Sequence, residues 1–200
     1  LNLTLNLKMK VIQLHQEEKQ LIKLAVENNR QAQQQIYAKF SSKMLSVCRQ
    51  YIKDIHHAED VMITGFMKVF TNLKNFEHKG SFEGWIRRIM VYECIDFLRV
   101  KKNNFNHQDI DDVMISENES VYEMEDFSVD DIQNMIDNLP DGYKMVFNLY
   151  AIEGYKHQEI AEMLKISEGT SKSQLSHARK LLQQQITDLK NKLNGIATIR

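Results

Sequence analysis

From Leu21 onward the apolar residues of this chain recur at intervals of three and four, the period of helices that bury one face. Ile36, Phe40, Met44, Cys48 and Tyr51 fall on one stripe. Val61, Met62, Gly65, Phe66, Val69, Phe70 and Leu73 fall on another. The spacing predicts two packed helices with a polar turn at Asp54 to His57 between them. A Gly-containing stretch, Phe76-Glu-His-Lys-Gly-Ser-Phe-Glu-Gly84, leads into a third helix beginning near Ser81 to Trp85. That helix carries Trp85, Ile86, Ile89, Met90, Ile95 and Leu98, and it runs out in Arg99-Val-Lys-Lys-Asn103, a basic end that suits the helix dipole.

Residues 103–131 lose the period, and a second helical set follows. Its inner positions are Ile132, Met135, Ile136 and Leu139; then Met145, Val146, Leu149 and Tyr150 after Pro140; then Ile160, Ala161 and Leu164; then Leu175, Ala178, Leu182, Ile186 and Leu189. Leu1 to Leu7 alternates Leu with polar residues but has no partner strand, and it stays unassigned. The expected fold is all-α: two small helical domains joined by an acidic linker, with a helix-turn-helix in the second. The divisions fall at 1–19 (an N-terminal extension), 20–102, 103–131 and 132–195.

Charge sharpens this division. The net charge of the 200 residues is -1, but it is unevenly spread. Residues 1–102 hold 17 Lys/Arg against 10 Asp/Glu, residues 103–131 hold 10 Asp/Glu and no Lys/Arg, and residues 132–200 hold 9 against 7. A basic body fits a polyanion partner. By composition the acidic insert reads as a solvated linker. No apolar run exceeds four residues, far short of the roughly 18 needed to span a bilayer, so a cytoplasmic protein without membrane insertion is expected. Cys48 and Cys94 lie in apolar stripes without metal-ligand spacing and read as buried thiols.

The most specific local signal is Gly154 to Lys180, which reads as a helix-turn-helix. Ile160, Ala161 and Leu164 give the first helix its inner face, Ile166 fills the turn, and Leu175 and Ala178 return the inner face on the second. Ser167 is placed as N-cap with Thr170 at the third position. Thr170, Lys172, Ser173, Gln174, Ser176, His177 and Lys180 are among those able to face outward, where amide, hydroxyl and ammonium groups meet base edges and phosphates. In the first domain, cations and rings interleave as unstacked bases require: Phe76, His78, Lys79, Phe82, Trp85, Arg87, Arg88, Tyr92, Arg99, Lys101 and Lys102. Several would serve equally as core, and composition favours a core position for Trp85. His56-His57-Ala-Glu59-Asp60 is not a metal site on this reading, because adjacent helical histidines point about 100° apart; it reads as a helix start with Glu59 and Asp60 near the positive end. No catalytic motif, metal or cofactor is expected.

In these segments the chain resembles the extracytoplasmic-function group of bacterial RNA polymerase sigma factors, over roughly residues 20–190. Ala58-Glu-Asp-Val-Met-Ile-Thr-Gly-Phe-Met-Lys-Val-Phe70 is similar to the segment that docks on polymerase, which implies roles for Glu59, Asp60, Ile63, Phe66, Met67, Val69 and Phe70. Gly80-Ser-Phe-Glu-Gly-Trp-Ile-Arg-Arg-Ile89 and Cys94-Ile-Asp-Phe-Leu-Arg99 are similar to the segment that melts and reads the minus-ten element. The resemblance implies that Asp96 joins the interleaved set just named, and that Phe76 through Gly84 captures a flipped base. Leu139-Pro-Asp-Gly-Tyr-Lys-Met-Val-Phe147 and Glu168 to Arg179 are similar to the minus-thirty-five reader, which implies Ser167, Thr170, Ser171, Lys172, Ser173, Gln174, Ser176, His177, Arg179 and Lys180 as contacts. The chain departs from the group at Ile63-Thr64, where Gln-Glu is common, and at Tyr92, where an Asn is common.

The implied function is promoter-specific initiation, with core RNA polymerase and promoter DNA as partners and room for an anti-sigma factor. Two other readings stay open on sequence. One is a stand-alone helix-turn-helix regulator, and the other is a polymerase-binding anti-regulator that uses the acidic segment as a decoy. Both predict no promoter-dependent initiation.

Overall fold

The computed structural model describes residues 16–104 and 127–197, with side chains described for residues 16–100 and 127–191. Among the described residues every regular element is helical, as the period of three and four requires. In order these are α1 (residues 16–26), α2 (Arg30–Tyr51), α3 (Ile55–Asn72) with a short 3-10 turn (Leu73–Asn75), α4 (Phe82–Asn104), α5 (Val129–Asp137), α6 (Asp141–Phe147), a π-helical stretch (Asn148–Ile152), α7 (His157–Leu164) and α8 (Glu168–Ala197). Among the described residues no helix is long and apolar enough to cross a membrane. The chain divides into two compact units, Leu1–Phe97 and Leu98–Arg200.

In the first unit, α2 is entered through Asn29, whose Oδ1 accepts the Ala32 N–H at 3.0 Å. α3 is entered through Asp54, whose Oδ1 accepts the His57 N–H at 2.9 Å. The core is drawn from one stripe per helix: Ile36, Phe40, Met44, Val47, Cys48 and Tyr51 of α2, Ala58, Val61, Met62, Phe66 and Val69 of α3, and Phe82, Ile86, Met90, Val91, Cys94 and Ile95 of α4. Gly65 lets α3 and α4 approach closely, since a Cβ there would meet Met90 Sδ. Beside it, Lys68 of α3 forms an ion pair with the buried Glu93 of α4.

In the second unit, Ser128 and Asp131 form a capping box at the start of α5. Pro140 immediately precedes α6, where its missing N–H costs no helical bond. Met135, Ile136, Leu139, Met145, Val146, Leu149, Ile160, Met163, Leu175 and Ala178 make the core. Lys144 and Asp137 form an ion pair within it at 3.2 Å, with side chains 5% and 1% exposed.

Several expectations change. α3 begins at Ile55, so its first turn holds no acidic residue and Asp54 is the carboxylate at the positive end; Glu59 and Asp60 lie one turn further in. Trp85 is half-buried and Phe82 takes the core position, because Phe82 is the ring that reaches Phe40 of α2, at 5.7 Å. Tyr150 falls within the π-helical stretch, whose wider turn breaks the 3.6-residue period, and it is exposed. α5 starts at Val129, and α4 runs through Asn104. The N-terminal extension through residue 15 and the acidic insert over residues 105–126 lie outside the described residues, as do the Lys101 and Lys102 side chains.

Candidate nucleic-acid interface

α8 carries two stripes offset by one residue. Ser171, Leu175 and Ala178 are buried, while Lys172, Ser176 and Arg179 are exposed. Both sets follow the i, i+4, i+7 spacing, so one step of 100° around the helix separates core from solvent. The helix is held at its start by Ser167, whose Oγ accepts the Thr170 N–H at 2.9 Å and lies 2.8 Å from Thr170 Oγ1. α7 ends in a left-handed Lys165 (φ 56°), and the Ile166 N–H returns to the Ala161 carbonyl at 3.1 Å. Together these give the tight turn between the two helices that the sequence suggests.

The predicted outward residues are not equivalent. Ser167, Lys172, Ser173, Ser176 and Arg179 are exposed, and Thr170, Gln174, His177 and Lys180 are half-buried. The Gln174 amide rests against Gly142 of α6, where an added Cβ would lie 3.3 Å from Nε2. The His177 ring stacks on Tyr143 at 5.4 Å. Ser171 is fully buried, its Oγ 2.9 Å from His157 Nδ1, so its side chain faces α7 and not the outer surface. Its position four residues before Leu175 and seven before Ala178 was the signal for that inward placement. Glu168, at the head of α8, forms a 2.7 Å pair with Lys172. The hydrogen bond from Lys172 holds the Glu168 carboxyl below the usual range.

In the first unit, Arg88, Tyr92 and Asp96 are exposed along one face of α4, with half-buried Trp85 at i-3. Arg99, at i+3 on the same helix, falls in the second unit, where its guanidinium donates to the Met163 carbonyl at 3.2 Å. Arg88 Cζ lies 5.8 Å from the Tyr92 ring centroid, within reach of a cation–π contact. Arg87 is half-buried. The preceding loop turns through two positive-φ residues, His78 (φ 57°) and Gly80 (φ 93°), and it exposes His78 and Lys79. Phe76 and Phe82 are buried, with centroids 5.1 Å apart, and Trp85 lies 5.5 Å from Phe76 and 5.9 Å from Phe82. Of this aromatic group only Trp85 keeps surface for a ligand.

On α3, Glu59, Asp60, Ile63 and Met67 are exposed and Phe70 is half-buried, whereas Phe66 and Val69 point into the core. The outward line is therefore apolar along its middle, with Ile63 49% and Met67 67% exposed. Phe66 lies beneath it, edge-on to Tyr37 of α2 at 4.8 Å. Among the described residues no three His, Cys, Asp or Glu side chains are grouped to hold a metal ion.

Residues 36–104 match the family model for sigma-70 region 2, and residues 129–182 match that for sigma-70 region 4. Over 164 residues the chain is 29% identical to the ECF RNA polymerase sigma factor SigW of Bacillus subtilis, covering 75% of this chain and 86% of the other. It is 23% identical to the ECF RNA polymerase sigma-E factor of Haemophilus influenzae over 184 residues, 84% of this chain and 95% of that one. A chain of the co-crystal structure of the sigma factor RpoE with the anti-sigma factor NepR from Bartonella quintana shares the fold. Its TM-score is 0.50 at 22% identity, covering 77% of this chain and 96% of that chain. With both sigma-70 regions in order and full-length relatives of one kind, this chain belongs to the extracytoplasmic-function group of RNA polymerase sigma factors.

Proposed function

We propose that this sigma factor, which directs transcription initiation, divides the task among three outward faces. Asp60, Ile63, Met67 and Phe70 of α3 meet core bacterial RNA polymerase, with Ile63 and Met67 supplying apolar area that gains from burial. The α4 line of Trp85, Arg88, Tyr92 and Asp96 faces the opened minus-ten strand, where rings stack on bases and the Arg88 cation holds a phosphate. Lys172, Ser176 and Arg179 face the minus-thirty-five element in the major groove. The protein supplies binding energy and register, not bond chemistry. It works in the cytoplasm, where the polymerase is, and an anti-sigma factor is a further candidate partner.

The observation that carries this reading is the one-residue offset on α8. It leaves a polar, cationic stripe on the outside of a helix whose inner stripe is fully used in packing. The test is run-off transcription with core polymerase, with and without the protein, on fragmented genomic DNA from its source. New discrete transcripts that share two upstream elements are expected. Duplex binding without new transcripts would make the protein a stand-alone regulator, and inhibition of existing transcripts would make it an anti-regulator.

A further inference from the structure

Behind the outward stripe of α8 lies a stack that none of the contacts assigned so far uses. The Tyr150 ring packs on the His157 ring, with centroids 4.6 Å apart and planes 22° from parallel. His157 Nδ1 is 2.9 Å from the Oγ of buried Ser171. Arg179 Cζ lies 5.7 Å from the centroid of the same Tyr150 ring. Three elements thus converge: the π-helical stretch supplies Tyr150, the first residue of α7 supplies His157, and α8 supplies Ser171 and Arg179.

We propose that Tyr150 and His157 are positioning residues for Arg179. The chain of contacts runs in one direction. The Ser171 hydroxyl, sunk in the core of α8, fixes the rotation of the His157 ring. That ring provides a flat surface on which Tyr150 rests. Tyr150, partly exposed, then offers its π-face to the Arg179 guanidinium at the edge of the outward stripe. An arginine side chain left to itself samples many rotamers, and each must be given up when it grips a phosphate or a base. A guanidinium already lying against a ring has given up part of that freedom before DNA arrives, so more of the contact appears as affinity. The π-helical stretch contributes because its wider turn departs from the α-helical register just where Tyr150 leaves the core stripe.

The inference rests on the reading of α8 as the minus-thirty-five reader, and a double-mutant cycle separates the two. Polymerase reconstituted with the full chain is titrated against a promoter fragment recovered in the run-off experiment, at several salt concentrations. Arg179→Ala is expected to weaken binding on the order of tenfold and to reduce the salt slope by about one. Tyr150→Leu is expected to reproduce most of that loss in the wild-type background and little of it in the Arg179→Ala background, because the two act through one contact. Tyr150→Phe, which keeps the ring, is expected to bind as wild type. Equal losses from Tyr150→Leu in both backgrounds would mean a structural role only, and would overturn the proposal. So would Arg179→Ala without effect on a promoter that the wild-type protein still recognises. If Tyr150→Leu does not fold, His157→Ala completes the same cycle. Failure of the wild-type protein to direct any transcript would instead bring down the initiation reading, and this proposal with it.

Discussion

α4 and α8 each carry a functional stripe beside a buried one, but they keep the two apart to different degrees. On α8 a single step around the helix divides Ser171, Leu175 and Ala178 inside from Lys172, Ser176 and Arg179 outside. On α4 the division runs through one aromatic cluster, in which Phe76 and Phe82 are core while Trp85, in contact with both, is half at the surface. Contacts on the second helix can therefore be changed without disturbing its packing. On the first, the ring that would meet a base is supported by the rings that hold the fold.

Phe82→Ala is the strongest way to test this difference. Phe82 touches Phe40, Phe76 and Trp85 and is 2% exposed, so its loss should cost about 3–5 kcal/mol of stability and take open-complex formation with it. Urea unfolding of the full chain measures the first and permanganate footprinting the second. A cost below about 1 kcal/mol would show that the cluster does not support the fold.

Tyr92→Asn should do the reverse. The side chain is exposed, so stability should stay within about 0.5 kcal/mol. An amide in place of a ring should alter discrimination among bases at one minus-ten position by about 1–3 kcal/mol. Transcription from promoters randomised in that element reads the preference directly; an unchanged preference would place Tyr92 outside the DNA path.

The smallest effect expected is on acidification. The His57 backbone N–H holds the Asp54 carboxyl below its ordinary value of 3.8. A carboxylate lowered on folding stabilises fully above the unfolded value and loses that contribution as pH falls through the folded one. The start of α3 should therefore loosen below the usual carboxylate range. The start of α2, capped by the side-chain amide of Asn29, has no acidic residue in its first turn. Amide proton shifts of His57 and Ala32 followed between pH 5 and about 2.5 should separate, His57 moving first. Parallel movement of both would mean that whole-chain unfolding, not the cap, governs the response.

Legibility in the sequence followed the same line. The helix-turn-helix could be read because its determinants are local: Ser167 caps Thr170 three residues on, and Leu175 and Ala178 mark the inner face by spacing alone. Composition ranks Trp85 first for the core and the structure gives that place to Phe82, since both fall near the inner face and the choice is made by Phe40, 42 residues earlier, and by Phe76. Ser171 enters the contact set only through the resemblance, although its spacing from Leu175 and Ala178 marks it as inward; its partner, His157, lies 14 residues away on another helix. The resemblance implies docking roles for Phe66 and Val69 beside Ile63 and Met67, but the apolar stripe already sets both among the packing residues, and both are buried. Tyr150 broke the expected stripe because a π-helical turn has no signature in apolar spacing.

The buried pair of Lys144 and Asp137 constrains how this chain can change over generations. Removing either partner of such a pair costs about 3–5 kcal/mol, because the other is left charged in the core, whereas replacing both with apolar residues of similar volume is often neutral. Small domains hold only about 5–15 kcal/mol in all. A lineage leaving this arrangement must therefore cross a deeply weakened single substitution or accumulate stabilising changes elsewhere first. Among descendants of this sequence the two positions should be inherited as a unit, lysine with aspartate or neither, and either residue alone should be a mark of recent or compensated change.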